Sequence, residues 1–183
     1  MRFETTTIPG LLAIGLERNL DARGSFARLF CRDEFSAAGL VSVFVQESLS
    51  VTRQAGTVRG MHFQTRPYEE VKLVRCVRGV IYDVVVDLRS HSPTYLAWQA
   101  FELSPDSDIA LYIPEGCAHG FQTLTDNVEI LYHMSVRYSP AHASGFRHDD
   151  DAVGIRWPRP VTMISEKDLS WPTLSVNKVR SNQ

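Results

Sequence analysis

The chain has 183 residues, of which 44% are hydrophobic and 22% charged, with a formal net charge of -2. That length fits one domain with a sizeable core, and the composition argues against disorder. Lys and Arg are dispersed rather than gathered into a run, which argues against a nucleic-acid surface but leaves room for a local cationic cluster that takes an anionic small molecule.

In chain order, the N-terminus lacks a basic start followed by a long apolar run, so no signal peptide is expected. No apolar stretch approaches membrane-spanning length. Strand signals then dominate: "LLAIGLER", "SVFVQESLSV", "VKLVRCV", "GVIYDVVVDLR", "TYLAWQAFEL", "IALYIP", "GFQTLT" and "VEILYHMSVRYS". These runs are rich in β-branched and aromatic residues, and turn formers such as "QAG", "SHSP", "SPDSD" and "PEG" separate them. The pattern predicts an antiparallel sandwich or barrel rather than alternating β and α units. Short helices are expected at "RDEFSAAGL" (32–40), ended by Gly39, and from Ser165, where "SEKD" has a capping pattern. The chain therefore reads as one all-β domain over 1–183, with a polar tail from about 172 that is expected to fray. Cys31, Cys76 and Cys117 are odd in number and without CxxC spacing, as expected of reduced thiols in a cytoplasmic protein.

Face alternation singles out a few polar side chains. As a strand, "RGMHFQ" (59–64) sends Arg59, Met61 and Phe63 to one face and Gly60, His62 and Gln64 to the other. In "VEILYHMSVRY" the face of Val128, Ile130 and Met134 also carries Tyr132 and Tyr138. Both phenols are expected to point inward, either as core tyrosines bonded to backbone or as groups with work in a cavity. Lys72 shares a face with Val74 and Cys76, so it either snorkels at a strand end or enters a polar cavity. His91, His133 and His142 are expected to be solvated, and "HDDD" (148–151) to form an exposed acidic turn.

The spacing of Gly56, His62, Gln64, Glu69 and Gly79, then Pro114, Gly116 and His119, resembles the two motifs of the cupin superfamily, a jelly-roll β-barrel. Metal-binding cupins have a second histidine where this chain has Gln64, and Thr123 stands where a spaced Asn is usual. An amide oxygen is a poor substitute for imidazole toward transition metals, so no metal or other cofactor is expected. A metal-dependent cupin built on His62, Glu69 and His119 is the alternative.

A closer resemblance runs over almost the whole chain: "DARGSF" (21–26), "FVQ" (44–46), "VRGMHFQ" (58–64), "KLVRCVRGVIYDVVVDLR" (72–89), "YIPEGCAHGFQTL" (112–124), "EILYHMSVRYSP" (129–140) and "ISEKD" (164–168). This ordered set resembles the dTDP-4-dehydrorhamnose 3,5-epimerase family, metal-independent cupins acting on nucleotide-linked 4-keto-6-deoxy sugars. The resemblance implies His62 as the base beside the C4 ketone, oriented by Asp168. It implies Lys72 as the enolate-stabilising cation and Tyr132 as the acid on the opposite face, with Tyr138 nearby. Arg59 and Arg23 match positions that grip the pyrophosphate, Phe26 and Gln46 fall in matched substrate-binding stretches, and His119 lines the pocket. It also implies a homodimer in which an N-terminal segment reaches the neighbour's nucleotide site. Four departures stand out: Arg28 in place of a Glu, "ESLS" (47–50) in place of "DNHS", and Cys117 and His148 in place of Phe and Trp. The nucleotide base and the sugar are therefore left open, as is whether C3, C5 or both are inverted; a catalytically silent nucleotide-sugar binding module is a further alternative. Arg59 poses a local conflict, since simple alternation turns it away from His62. A bulge or twist at Gly60 would reconcile the two.

Overall fold

A computed structural model describes residues 1–174. Its elements, in chain order, are β1 (Arg2–Thr5), β2 (Leu12–Gly15), β3 (Arg18–Asp21), β4 (Gly24–Ala27), α1 (Arg32–Ala37), β5 (Gln46–Thr52) and β6 (Val58–Gln64). There follow β7 (Lys72–Arg78), β8 (Ile81–Asp87), β9 (Trp98–Leu103), β10 (Ile109–Ile113), β11 (Cys117–Thr123), β12 (Val128–Met134), β13 (Ala143–Gly145) and α2 (Glu166–Leu169). A six-stranded sheet in the order β1-β2-β10-β7-β12-β5 packs on a five-stranded sheet in the order β13-β6-β11-β8-β9, and β3 and β4 form a separate hairpin. Among the described residues every strand pairing is antiparallel, apart from one isolated parallel bridge between Thr57 and Met163. The expected all-β jelly-roll architecture is what forms.

Three apolar clusters follow from strand alternation. Val74, Cys76, Leu111 and Ile130 from one sheet and Ile81, Val85 and Phe121 from the other fill the space between the sheets. Leu73, Ala110 and Tyr112 face outward and are covered by Phe35 of α1. On the far side, Met61, Val84, Val86 and Ala118 are covered by Phe146 and Val153. Burial of these side chains at about 25 cal/mol per Å² of apolar surface is the main force holding the layers together.

The irregularity expected at Gly60 is present. His62 pairs with His119 and Arg59 with Phe121, so three steps along β6 oppose two along β11. The extra residue turns Met61 into the outer cluster while Arg59 and His62 both line the inner cavity. Gly60 has φ 125° and an added Cβ would lie 2.6 Å from Gly120 Cα, so only glycine fits there.

Several expectations need correction. The strand carrying Tyr132 ends at Met134, where its pairing with Gln46 of β5 and Lys72 of β7 runs out. Alternation lapses after that point, and Tyr138 is 52% exposed instead of pointing into the barrel. His148 and Asp150 are buried rather than part of an exposed turn, because Asp150 accepts backbone N–H groups of Ala152 and Leu174 and Trp157 Nε1 donates to the His148 carbonyl. His142 is half-buried against the Tyr68 ring, with its Nδ1 2.8 Å from Ser139 Oγ. His133 is half-buried too, against Phe44, whereas His91 is exposed as expected. Of the tail expected to fray, residues 175–183 lie outside the described residues, and Leu174 packs against the outer cluster. All three cysteines are free, Cys76 and Cys117 being buried. Among the described residues no helix is long and apolar enough to cross a membrane.

Candidate active site

A cavity of about 640 Å³ opens between the sheets. Gln46, Ser48 and Ser50 of β5, Lys72 of β7 and Tyr132 of β12 line it from the six-stranded sheet. Arg59, His62 and Gln64 of β6 and His119 of β11 line it from the five-stranded one. Asp168 arrives separately, on α2. The segment before α2 is tied to the start of β6 through Thr162 N–H donating to the Gly56 carbonyl and Val58 N–H donating to that of Met163. Ser165 then caps the helix, its Oγ accepting the Asp168 N–H at 3.0 Å.

His62 Nε2 lies 2.6 Å from Asp168 Oδ1, and Asp168 Oδ2 accepts the Gly60 N–H at 3.2 Å. The imidazole is 42% exposed, whereas the carboxylate is 5% exposed. Burial alone raises the Asp168 carboxyl, but the hydrogen bond and charge of His62, with the Gly60 N–H, outweigh it. The group is held below its ordinary value. An ionised carboxylate on one ring nitrogen fixes the tautomer and leaves the other nitrogen free to take a proton.

Tyr132 stands opposite, in register with Val74 and Ser48. Its hydroxyl has no hydrogen-bond partner among the described residues, so it is not a core tyrosine bonded to backbone. Burial pushes its phenol far above the usual value, the Asp83 carboxylate adds to the rise, and Arg59 opposes it. The phenol therefore keeps its proton throughout the neutral range. Asp83 belongs to a second pair, its Oδ2 lying 2.8 Å from His119 Nε2 with both residues buried. The His119 ring meets that of Tyr132 edge-on, with 5.8 Å between centroids.

Lys72 places its ammonium 3.2 Å from Glu70 Oε1, both side chains being largely shielded from solvent. Gln64 does not act as half of a metal clamp. Its Nε2 donates to Glu70 Oε2 and the Tyr68 carbonyl, and its Oε1 accepts the Ser139 N–H. Arg59 Nε donates to Thr52 Oγ1 at 3.0 Å, which leaves other guanidinium N–H groups for an anion. Tyr138 also lines the cavity, and its N–H donates to Gln46 Oε1 at 3.1 Å.

Thus His62, Lys72, Tyr132, Asp168, Gln46, Arg59, His119 and Tyr138 come together, while Arg23 and Phe26 do not line this cavity. Both sit on the exposed β3–β4 hairpin, where Arg23 pairs with Asp21 and Phe26 is 74% exposed. Arg28 pairs with Glu34, also away from the cavity. Glu69 binds Arg66 and is likewise absent from the lining, so the set His62, Glu69 and His119 is not assembled. No group of three or more His, Cys, Asp or Glu among the described residues is arranged to hold a metal ion. Sequence reasoning missed Glu70 and Asp83. Alternation along "IYDVVVD" could have found Asp83, since it puts that residue on the inward face with Ile81 and Val85.

Comparison with known proteins agrees with this architecture. The family model for dTDP-4-dehydrorhamnose 3,5-epimerase matches residues 5–176. The chain is 42% identical over 176 residues to the dTDP-4-dehydrorhamnose 3,5-epimerase of Sinorhizobium fredii, covering 95% of this chain and 90% of that one. It is 38% identical over 169 residues to the dTDP-4-dehydrorhamnose 3-epimerase of Streptomyces niveus, covering 92% of this chain and 81% of the other. Among solved structures, that of the Bacillus anthracis dTDP-4-dehydrorhamnose 3,5-epimerase with TDP and PPi bound superposes with a TM-score of 0.91 at 35% identity, covering 94% of this chain and 99% of that one. On sequence and fold together, the chain belongs to the dTDP-4-dehydrorhamnose 3,5-epimerase family.

Proposed function

We propose that the protein epimerises a nucleotide-linked 4-keto-6-deoxyhexose, with dTDP as the carrier, at a carbon or carbons adjacent to the ketone. The observation that carries this reading is the pairing of His62 and Asp168 on one wall of a cavity whose facing wall holds the protonated Tyr132 phenol. Inverting a carbon beside a ketone needs removal of a proton from one face and delivery from the other, so base and acid must flank the ring. His62 takes the proton from carbon, the electron pair moves onto the C4 oxygen as an enolate, and the Lys72 ammonium stabilises that oxyanion. Tyr132 then delivers its hydroxyl proton to the opposite face, the imidazolium releases the proton it took to solvent, and the phenolate regains one from solvent. Each positioned acid or base contributes roughly 10²- to 10⁴-fold, and a fixed cation in a water-poor cavity adds to this. Binding alone requires neither the dyad nor the unpartnered phenol, which weighs against a silent binding module.

Arg59, with Gln46, His119 and Tyr138, is assigned to holding the nucleotide sugar. Arg23 and Phe26 are assigned to the nucleotide site of a second copy in a homodimer, since they are exposed and lie off their own chain's cavity. The protein is proposed to act in the cytoplasm. Incubation with dTDP-4-keto-6-deoxyglucose, followed by NMR, tests the reaction: signals of a C3- or C5-inverted sugar are expected, and unchanged substrate would overturn the assignment. Sedimentation of the purified protein tests the dimer, a monomer with full activity being the contrary result.

A further inference from the structure

Gln64, Glu70 and Lys72 form a chain of contacts that the reaction as drawn does not use. Glu70 Oε1 lies 3.2 Å from the Lys72 ammonium, and the two side chains are 9% and 12% exposed. Its second oxygen accepts a hydrogen bond from Gln64 Nε2 at 3.0 Å. Gln64 is itself pinned from both ends, donating to the Tyr68 carbonyl at 3.1 Å and accepting the Ser139 N–H at 2.7 Å. All three side chains line the cavity. Glu70 is thereby held at both carboxylate oxygens, one by Gln64 and one by the ammonium. A flexible four-carbon stem needs a fixed partner to present one geometry.

We propose that Glu70 is a positioning residue for Lys72: with Gln64 it holds the ammonium fixed where the enolate oxygen develops. The inference rests on the proposed epimerase reaction, in which Lys72 meets that oxygen. It also accounts for an amide rather than an imidazole at position 64, because the side chain there donates to both a carboxylate and the Tyr68 carbonyl while accepting a backbone N–H, and a neutral imidazole has a single N–H to give.

Glu70→Gln keeps the volume and removes the charge, and Glu70→Asp keeps the charge but draws it back. Rates and KM with dTDP-4-keto-6-deoxyglucose, dTDP affinity and melting temperature are measured for both, alone and in a Lys72→Met background. Glu70→Gln is expected to lower kcat about 10- to 100-fold, the scale on which supporting partners of active groups act. KM and dTDP affinity are expected to stay within about threefold, since the ground state loses little. Glu70→Asp is expected to fall between wild type and Glu70→Gln. In the Lys72→Met background neither change is expected to lower the residual rate further, because residues acting through one group are non-additive. Wild-type kcat in Glu70→Gln would overturn the inference, as would a loss of the same size with Lys72 absent. Should Glu70→Gln fail to fold, the comparison of Glu70→Asp with its Lys72→Met double variant decides on the same terms. An inactive wild-type protein would instead overturn the reaction itself.

Discussion

Replacing Asp168 by Asn removes a charge without removing volume, so it isolates what the dyad does. The carboxylate is 5% exposed and 2.6 Å from His62 Nε2, a charge-assisted contact with little competition from solvent. A hydrogen bond to a charged group contributes about 1.5–3 kcal/mol, which at about 1.36 kcal/mol per decade corresponds to roughly 10- to 150-fold in rate. Orientation adds to this. The asparagine amide can present N–H toward Nε2, which favours the tautomer with its proton on the nitrogen that must act as base. In a serine-protease triad the equivalent change costs about 10⁴-fold. The expected loss in kcat is therefore roughly 10²- to 10⁴-fold, with a much smaller change in KM. The assay is the initial rate of epimerisation by NMR, with circular dichroism melting and dTDP affinity as checks on folding. A folded Asp168→Asn protein that keeps kcat within tenfold of wild type would show that the carboxylate does not orient or charge-stabilise His62.

Tyr132→Phe removes the proposed acid but leaves the proposed base. Product formation is expected to fall about 10²- to 10⁴-fold, while exchange of the ketone-adjacent protons with solvent, read by mass spectrometry, falls less; equal losses in both would contradict separate roles. Gly60→Ala is expected to destabilise the fold by about 2–5 kcal/mol through its backbone region and overlap, because a Cβ there meets Gly120 Cα at 2.6 Å; urea unfolding measures this, and a change under 1 kcal/mol counts against the bulge. The Asp168 carboxyl is held below its ordinary value, so its contribution to stability is present above about pH 4 and lost as pH falls further. The stability gap between wild type and Asp168→Asn is therefore expected to narrow below about pH 4 in denaturant titrations, and a gap that widens there would contradict the sign.

Most of the fold was legible because strand alternation and turn chemistry are local. Runs such as "VKLVRCV" and "GVIYDVVVDLR" formed β7 and β8, and Ser165 capped α2 as its pattern predicts. The bulge was legible for a different reason: Arg59 and His62 could share a cavity only if alternation broke at Gly60. Where the sequence misled, the cause was long-range. Nothing local says that β12 stops at Met134, since the stop is set by where its partners β5 and β7 stop. Tyr138 therefore moved from the barrel interior to the cavity mouth. His148 and Asp150 look solvated in isolation, and are buried because a carboxylate there accepts N–H groups from the chain around it. Glu70 carries no local sign of the role proposed for it. Only the fold brings Gln64 and Lys72 to its two oxygens.

His62 and Tyr132 are proposed to work on opposite faces of a carbon beside a ketone. Site-resolved deuterium incorporation tests it most directly: the protein is incubated in D₂O with dTDP-4-keto-6-deoxyglucose, and C3 and C5 are read separately by NMR. Deuterium is expected at each inverted carbon and at none that is not adjacent to the ketone, with incorporation lost in His62→Ala. Inversion without deuterium, or no incorporation at either C3 or C5, would contradict it.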